Sequence, residues 1–265
     1  MVGTFGDHLE ALRPHLLRSL AMFVVVMAAA FACKGVIVDT VLFGPIDPRF
    51  PTNRLVESLA SRFGAHGSLL AADPLTLVNT SMAGQFNLHL KISFFAALVL
   101  TFPYAVWELW RFVRPALTEG ELRACRRLTL WVSLCFLAGT AFGYFVTTPE
   151  TVGYLARYDV SPTVVNMIDA NSYLSTVVNV TLACGIVFQL PLLVRFLASA
   201  GIVTAPQLRR YRRHALLLLT LLSAIITPPD VVSTILIVLP MYALYELGIR
   251  IAETQSSKFK IQKAS

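Results

Sequence analysis

Three glutamates stand among arginines in the first half of the chain. Glu10 lies near Arg13 and Arg18, and Glu119 and Glu121 lie near Arg111, Arg114, Arg123, Arg126 and Arg127. Carboxylates in such surroundings either balance charge or accept a guanidinium through two parallel hydrogen bonds. A fourth, Glu108, sits between Trp107 and Trp110, with Arg111 at a spacing that pairs the two on one helix face. Gln189 stands inside an apolar run and is followed by Pro191. A lone amide at membrane depth bonds either to a neighbouring helix of its own chain or to a helix of another protein. Glu246 precedes Arg250 at the spacing of an intrahelical ion pair.

The spacings that carry catalysis are missing. There is no H-E-x-x-H, no G-x-S-x-G and no phosphate-binding loop. His8, His15, His66, His89 and His214 are scattered at the edges of apolar runs or in loops, and no apolar run holds a pair of carboxylates. Cys33, Cys125, Cys135 and Cys184 form no C-x-x-C pair and read as small core residues, so neither a disulfide framework nor a metal set is expected. The sequence predicts no enzyme, no cofactor and no metal. Any work must draw on partners or on a membrane gradient.

The elements that position these residues follow from composition. Of 265 residues, 56% are hydrophobic and 14% charged, and the mean hydropathy is +0.67. Ordinary soluble domains carry about 25% charge. A soluble globule this apolar would expose large apolar patches, and disorder, collagen and disulfide scaffolds are excluded too. The net charge of +7 points, in so apolar a chain, to membrane orientation rather than to nucleic acid.

A spanning helix needs about 20 mostly apolar residues. Six candidates occur, at about residues 20–38, 92–113, 128–146, 173–200, 215–227 and 231–251. Sixteen of the Lys and Arg residues fall on the side of the two termini and 6 on the other, which places both termini in the cytoplasm. Ala30-Phe31-Ala32 looks like a leader cleavage site, but Asp7 and Glu10 precede it, and Leu9, Leu12, Leu16 and Leu17 recur at helical spacing. That pattern predicts an amphipathic helix on the membrane surface leading into the first span.

The first external loop, residues 39–90, is long, with turn signals at Gly44-Pro45, Asp47-Pro48 and Asp73-Pro74 and a candidate amphipathic helix at 52–63. The last is only Thr227-Pro228-Pro229-Asp230, a tight hairpin. The fifth span, at about 20 Å, either thins the bilayer or is a longer helix in which Arg212 and Arg213 snorkel. The expected fold is an all-α polytopic membrane protein with six transmembrane helices, both termini inside, short final spans and an extended first external loop. Residues 1–255 form one membrane domain and 256–265 a basic cytoplasmic tail.

These pieces resemble, in order, the TatC family, the multi-spanning subunit of the twin-arginine protein translocase. His8-Leu9-Glu10-Ala11-Leu12-Arg13-Pro14-His15-Leu16 is similar to the family's H-L-x-E-L-R-x-x-L. Gly44-Pro45 matches the external G/A-P, and Pro103 with Trp110-Arg111-Phe112-Val113-Arg114-Pro115-Ala116-Leu117 resembles W-x-F-x-x-P-A-L. Glu119-Gly120-Glu121 continues into the K-x-E region, and Phe142-Gly143-Tyr144-Phe145 fits the third span. Phe188-Gln189-Leu190-Pro191 looks like F-E/Q-x-P. Thr227-Pro228-Pro229-Asp230 and Pro240-Met241-Tyr242-Ala243-Leu244-Tyr245-Glu246 fit the final hairpin.

The resemblance implies a subunit of the cytoplasmic (inner) membrane that binds the paired arginines of signal peptides on folded cargo. It would export that cargo with TatA- and TatB-type single-span partners, driven by the proton gradient. It also implies self-association and contact with membrane lipids. The implied signal-peptide site holds Glu121, Glu119, Glu10, Leu9, Arg13, Leu16, Phe112 and Leu117. Gln189, Thr227 and Thr234 are the implied docking points for partner helices, and Pro45, Asp169 and Asp230 the external loop caps. The chain departs from the pattern at Ala11, where the family has Glu. Glu10 is one residue earlier, a rotation of about 100° on a helix, so either Glu10 reaches round or Glu121 with Glu119 carries more of the load. Pro14 marks a bend or the first turn of the first span. The competing reading is a small-molecule transporter or channel, which would favour internal repeats and a midplane site. The sequence has no repeat and only Gln189 at depth.

Overall fold

The computed structural model describes residues 5–47, 49–54, 75–114, 119–161, 163, 166–199, 202–227 and 231–264. The side chains of residues 5–9, 119–127, 199, 231–233 and 254–264 lie outside that description. Apolar runs with little charge form helices here because lipid satisfies no backbone N–H or C=O, so each must be paired within the helix. The described residues form two compact units, built from residues 1–44, 77–137 and 169–174, and from 45–76, 138–168 and 175–265.

In the first unit, α1 (Phe5–Ala32) continues into a π-helical turn, Val36–Leu42. The sequence predicts a surface helix followed by a separate span. The two are one 28-residue helix with Pro14 inside it. Pro14 has no N–H to give the carbonyl of Glu10, but the apolar faces before and after it are in phase, so the helix runs on. The helix α2 (Gly84–Val113, 30 residues) packs along α1. Ring pairs occur in opposite chain order: His15 with Phe112, Phe23 with Phe94, Phe31 with Phe86 and His89. The two helices are therefore antiparallel. The helix α3 (Glu119–Phe142) joins them through a Phe102–Phe136 stack at 3.7 Å. Short strands β1 (Leu77–Val78) and β2 (Ile168–Asp169) pair. The phenol of Tyr173 donates to the buried Leu42 carbonyl at 2.8 Å.

In the second unit, a π-helical turn (Gly143–Thr147) leads from α3 into α4 (Thr148–Arg157). The helices α5 (Ala170–Val187), α6 (Leu190–Ser199), α7 (Ala205–Arg210), α8 (Arg212–Ile226) and α9 (Val231–Ala264) follow. The hub is α9, which packs on α6, α7 and α8. Val187, Leu219, Ile237 and Met241 form its core.

The expected unbroken span at 173–200 is interrupted at Phe188 and Gln189. Pro191 cannot donate to the Val187 carbonyl. The Gln189 N–H tightens to Ile186 O at 3.0 Å, and the helix restarts as Leu193 N–H reaches Gln189 O at 3.0 Å.

Among the described residues, five helical stretches are long and apolar enough to cross a membrane: Glu10–Ala32, Gly84–Val113, Leu128–Arg157, Ala170–Ala198 and Thr234–Glu253. The remaining expected span corresponds to α8, whose 15 residues reach about 22 Å. It starts at Arg212, three residues before the expected position. Of the candidate helix at 52–63, residues 52–54 are helical and 55–63 lie outside the described residues. The described cysteines are free. Cys184 is buried, as expected of a core residue, whereas Cys33 is exposed because it follows the last turn of α1 on an outer face.

Candidate functional site

The buried carboxylate of Glu108 is the chemical centre of the first unit. It is 1% exposed and takes three donors on two oxygens. His15 Nδ1 lies 2.6 Å from Oε2, while the Tyr104 phenol and Arg111 Nη1 donate to Oε1 at 3.1 and 2.9 Å. Tyr104, Glu108 and Arg111 fall at i, i+4 and i+7 on α2, one face of the helix. His15 comes from α1, so this bond ties the two helices together. An ionised carboxylate only accepts, so the shared hydrogen belongs to Nδ1.

The second face of His15 does different work. Its ring meets Phe112 edge-on at 6.1 Å. The Arg111 guanidinium lies over Trp107 at 5.0 Å, and Arg114 lies over Trp110 at 5.6 Å. The end of α2 is thereby rimmed by guanidinium–aromatic pairs, a favourable arrangement for cations near a π-face. Burial of Glu108 is affordable because Arg111 neutralises it and both oxygens are hydrogen-bonded.

A match to the family model for TatC, the Sec-independent protein translocase protein, covers residues 7–240. The chain belongs to the TatC family.

A TatC from Blattabacterium sp. subsp. Periplaneta americana is 33% identical over 256 residues, 96% of each chain. One from Deinococcus radiodurans is 34% identical over 244 residues, 92% of this chain and 83% of that protein. A crystal structure described as the twin arginine translocase receptor TatC in DDM superimposes with a TM-score of 0.67 at 26% identity, over 92% of this chain and 99% of the other. The chain is thus a multi-pass membrane protein of a translocase family.

Of the site residues expected by sequence, Phe112 is half-buried and joins the Glu108 cluster through His15. Glu10, Arg13 and Leu16 lie exposed on α1, and neither Glu10 nor Arg13 makes an ion pair among the described residues. Leu117 and the side chains of Leu9, Glu119 and Glu121 lie outside the described residues. His15 is what the sequence reading missed. It reads as one more interfacial histidine, and only the antiparallel register of α1 on α2 brings it to Glu108. The expected Glu108–Arg111 pair is present at 2.9 Å.

In the second unit, Gln189 is half-buried at the break between α5 and α6. Its neighbours Val187 and Leu190 pack into the core under α8 and α9. Thr227 and Thr234 meet around buried Ser223. The Thr227 hydroxyl donates to the Ser223 carbonyl at 2.9 Å, and the Ser223 hydroxyl donates to the Thr234 carbonyl at 3.3 Å. Thr227 therefore closes the end of α8 and presents no hydroxyl outward. Glu246, expected to pair with Arg250 along its own helix, accepts from Arg212 of α8 at 2.6 Å, a pair between helices that its spacing to Arg250 does not announce. Arg209 and Glu253 form a second such pair between α7 and α9. Tyr245 donates to the Leu208 carbonyl at 2.8 Å.

Of the expected loop caps, Asp169 Oδ2 accepts the N–H groups of Asn171 and Ser172 at 3.0 and 3.1 Å, which caps the start of α5. Pro45 is buried, and its carbonyl accepts from Asn53 at 3.3 Å. Asp230 lies outside the described residues.

Proposed function

We propose that this TatC-family chain is the receptor subunit of a twin-arginine translocase in the cytoplasmic membrane. It crosses the bilayer six times, with both termini inside, and α8 is the short fifth crossing. The paired arginines of a signal peptide are held where the first turns of α1 meet the end of α2 and the loop after it. The single observation that carries this reading is the His15–Glu108–Phe112 contact, which joins the two segments that hold the motif residues. Glu121, with Glu119, accepts the guanidinium groups bidentately. Phe112, Leu117, Leu9 and Leu16 give the apolar wall beside them, and Glu10 and Arg13 flank it.

Gln189 and Thr234 offer polar groups to single-span partners of the TatA and TatB type. Thr227 holds the end of α8 in shape for that contact. Pro45, Asp169 and Asp230 shape the external loops. Translocation of folded cargo draws on the proton gradient. Copies of the chain self-associate.

The test is photocrosslinking of a twin-arginine peptide, and of its twin-lysine variant, to wild-type and Glu121→Ala protein. The arginine peptide is expected to crosslink, and both changes are expected to remove most of the product. Equal crosslinking of both peptides, or an undiminished product in Glu121→Ala, overturns the reading. Gln189→Leu is expected to lose copurification of the small partner while retaining signal binding.

A further inference from the structure

At the other end of α2 lies a cleft of about 460 Å³ between Lys34, just after α1, the π-helical turn that follows and the first turns of α2. His89 and Glu108 are 19 residues apart, which on a helix is about 28 Å, close to the thickness of the bilayer core. The cleft therefore lies at the opposite membrane boundary from the Glu108 cluster.

Its lining is amphipathic. Lys34, Gln85 and His89 supply polar groups, and Val38, Phe43 and Phe86 supply apolar walls. Lys34 is exposed and makes no ion pair among the described residues. Among the described residues, two carboxylates are near it in the chain or in the unit, and neither pairs with it. Asp39 is exposed and outside the lining. Asp169 is occupied by the N–H groups that begin α5. His89 is stacked on Phe31 at 4.0 Å and lines the cleft, and its buried Nε2 has no hydrogen-bond partner among the described residues. Beside the cleft, Val36 and Phe86 are more than 60% exposed and Met82 is fully exposed, so an apolar tail can leave along a greasy surface.

We infer that this cleft binds the phosphate headgroup of an anionic phospholipid, with Lys34 as the cation that selects it and with the acyl chains lying over Phe86 and Val36. A lone ammonium beside amide and imidazole groups suits a phosphate oxygen, and long basic side chains at span ends reach to the headgroup layer. A zwitterionic headgroup brings its own cation and gains less from Lys34. A free phosphate ion lacks the tail that the apolar walls accommodate.

The test uses the full chain in mixed micelles, with native mass spectrometry of retained lipid and a photoreactive phosphatidylglycerol to locate it. Phosphatidylglycerol is expected to be retained about tenfold better than phosphatidylcholine, the change that one charge-assisted contact supplies. The label is expected on residues 34–43 and 84–89. Lys34→Gln is expected to erase the preference. Lys91→Gln, which removes an exposed cation outside the lining, is expected to keep it. Thermal unfolding of both variants checks that the fold is intact. Equal retention of the two lipids, an unchanged preference in Lys34→Gln, or labelling elsewhere overturns the inference. So does full displacement of the lipid by inorganic phosphate, which would make this a free-anion site.

Discussion

The His15–Glu108 bond can be weighed by a double-mutant cycle with His15→Ala and Glu108→Gln. Neutral interhelical hydrogen bonds in membranes average about 0.6 kcal/mol and reach about 1.7 kcal/mol. An ionised acceptor roughly doubles such a bond, and the 2.6 Å separation with a 1% exposed carboxylate places this one at the strong end. The expected coupling energy is about 1–3 kcal/mol. It stays below the about 3–5 kcal/mol of a broken buried ion pair, because Arg111 still neutralises Glu108 at 2.9 Å when His15 is gone. The assay is reversible unfolding in mixed micelles with rising SDS, followed by tryptophan fluorescence, since Trp107 and Trp110 flank Glu108. A coupling of 1.4 kcal/mol corresponds to about tenfold in the equilibrium. If the two single effects add within about 0.3 kcal/mol, as independent sites do, the bond does not join α1 to α2 and the reasoning fails.

Three more outcomes follow from the packing. In Gly139→Ala the new Cβ would lie 2.7 Å from the Cys184 carbonyl and the Phe188 Cβ. A loss of about 1–3 kcal/mol is expected, whereas Gly35→Ala, whose nearest neighbour would be 3.8 Å away, should unfold within about 0.5 kcal/mol of wild type; the same unfolding titration reads both. Pro191→Ala restores the missing N–H and should join α5 to α6, so spin labels at 180 and 196 should move toward the about 24 Å of a straight helix in pulsed EPR. Arg212→Gln should cost no more than about 1 kcal/mol, because the Arg212 and Glu246 side chains are 45% and 28% exposed; the wild-type advantage should shrink as salt is raised.

Much of this architecture is legible in the sequence because a bilayer leaves few choices. A run such as 173–200 must be helical whatever it packs against, so its helicity follows from composition. What composition cannot carry is partner choice. Glu246 has Arg250 at the right spacing on its own helix, and nothing in that spacing announces its bond to Arg212, which forms because α8 and α9 pack side by side and bring that guanidinium within 2.6 Å. His15 is invisible for the same reason, since nothing in residues 1–20 announces that it will face residue 108. Pro191 stands in plain view inside that run, but the break falls two residues before it, at Gln189, because the lost bond is the one to the Val187 carbonyl. Cys33 and Cys184 sit in similar apolar surroundings in sequence. Their opposite exposures depend on which face of a helix meets protein.

The placement of Glu108 bears on the question left by Ala11. A chain that lacks a carboxylate at that position has one candidate replacement buried between α1 and α2, and that candidate is unsuitable. Both Glu108 oxygens are already occupied by His15, Tyr104 and Arg111. A signal arginine would have to displace a resident guanidinium stacked on Trp107, which exchanges like for like and gains little. Glu10 makes no ion pair among the described residues, but it is exposed and stands about 100° around the helix from Ala11. On the proposed reading the remaining acceptor at a motif position is Glu121, in the first turn of α3. In this chain the buried carboxylate belongs to the frame, tying the start of α1 to the end of α2 through His15, and that leaves the start of α3 as the place for the proposed signal contact.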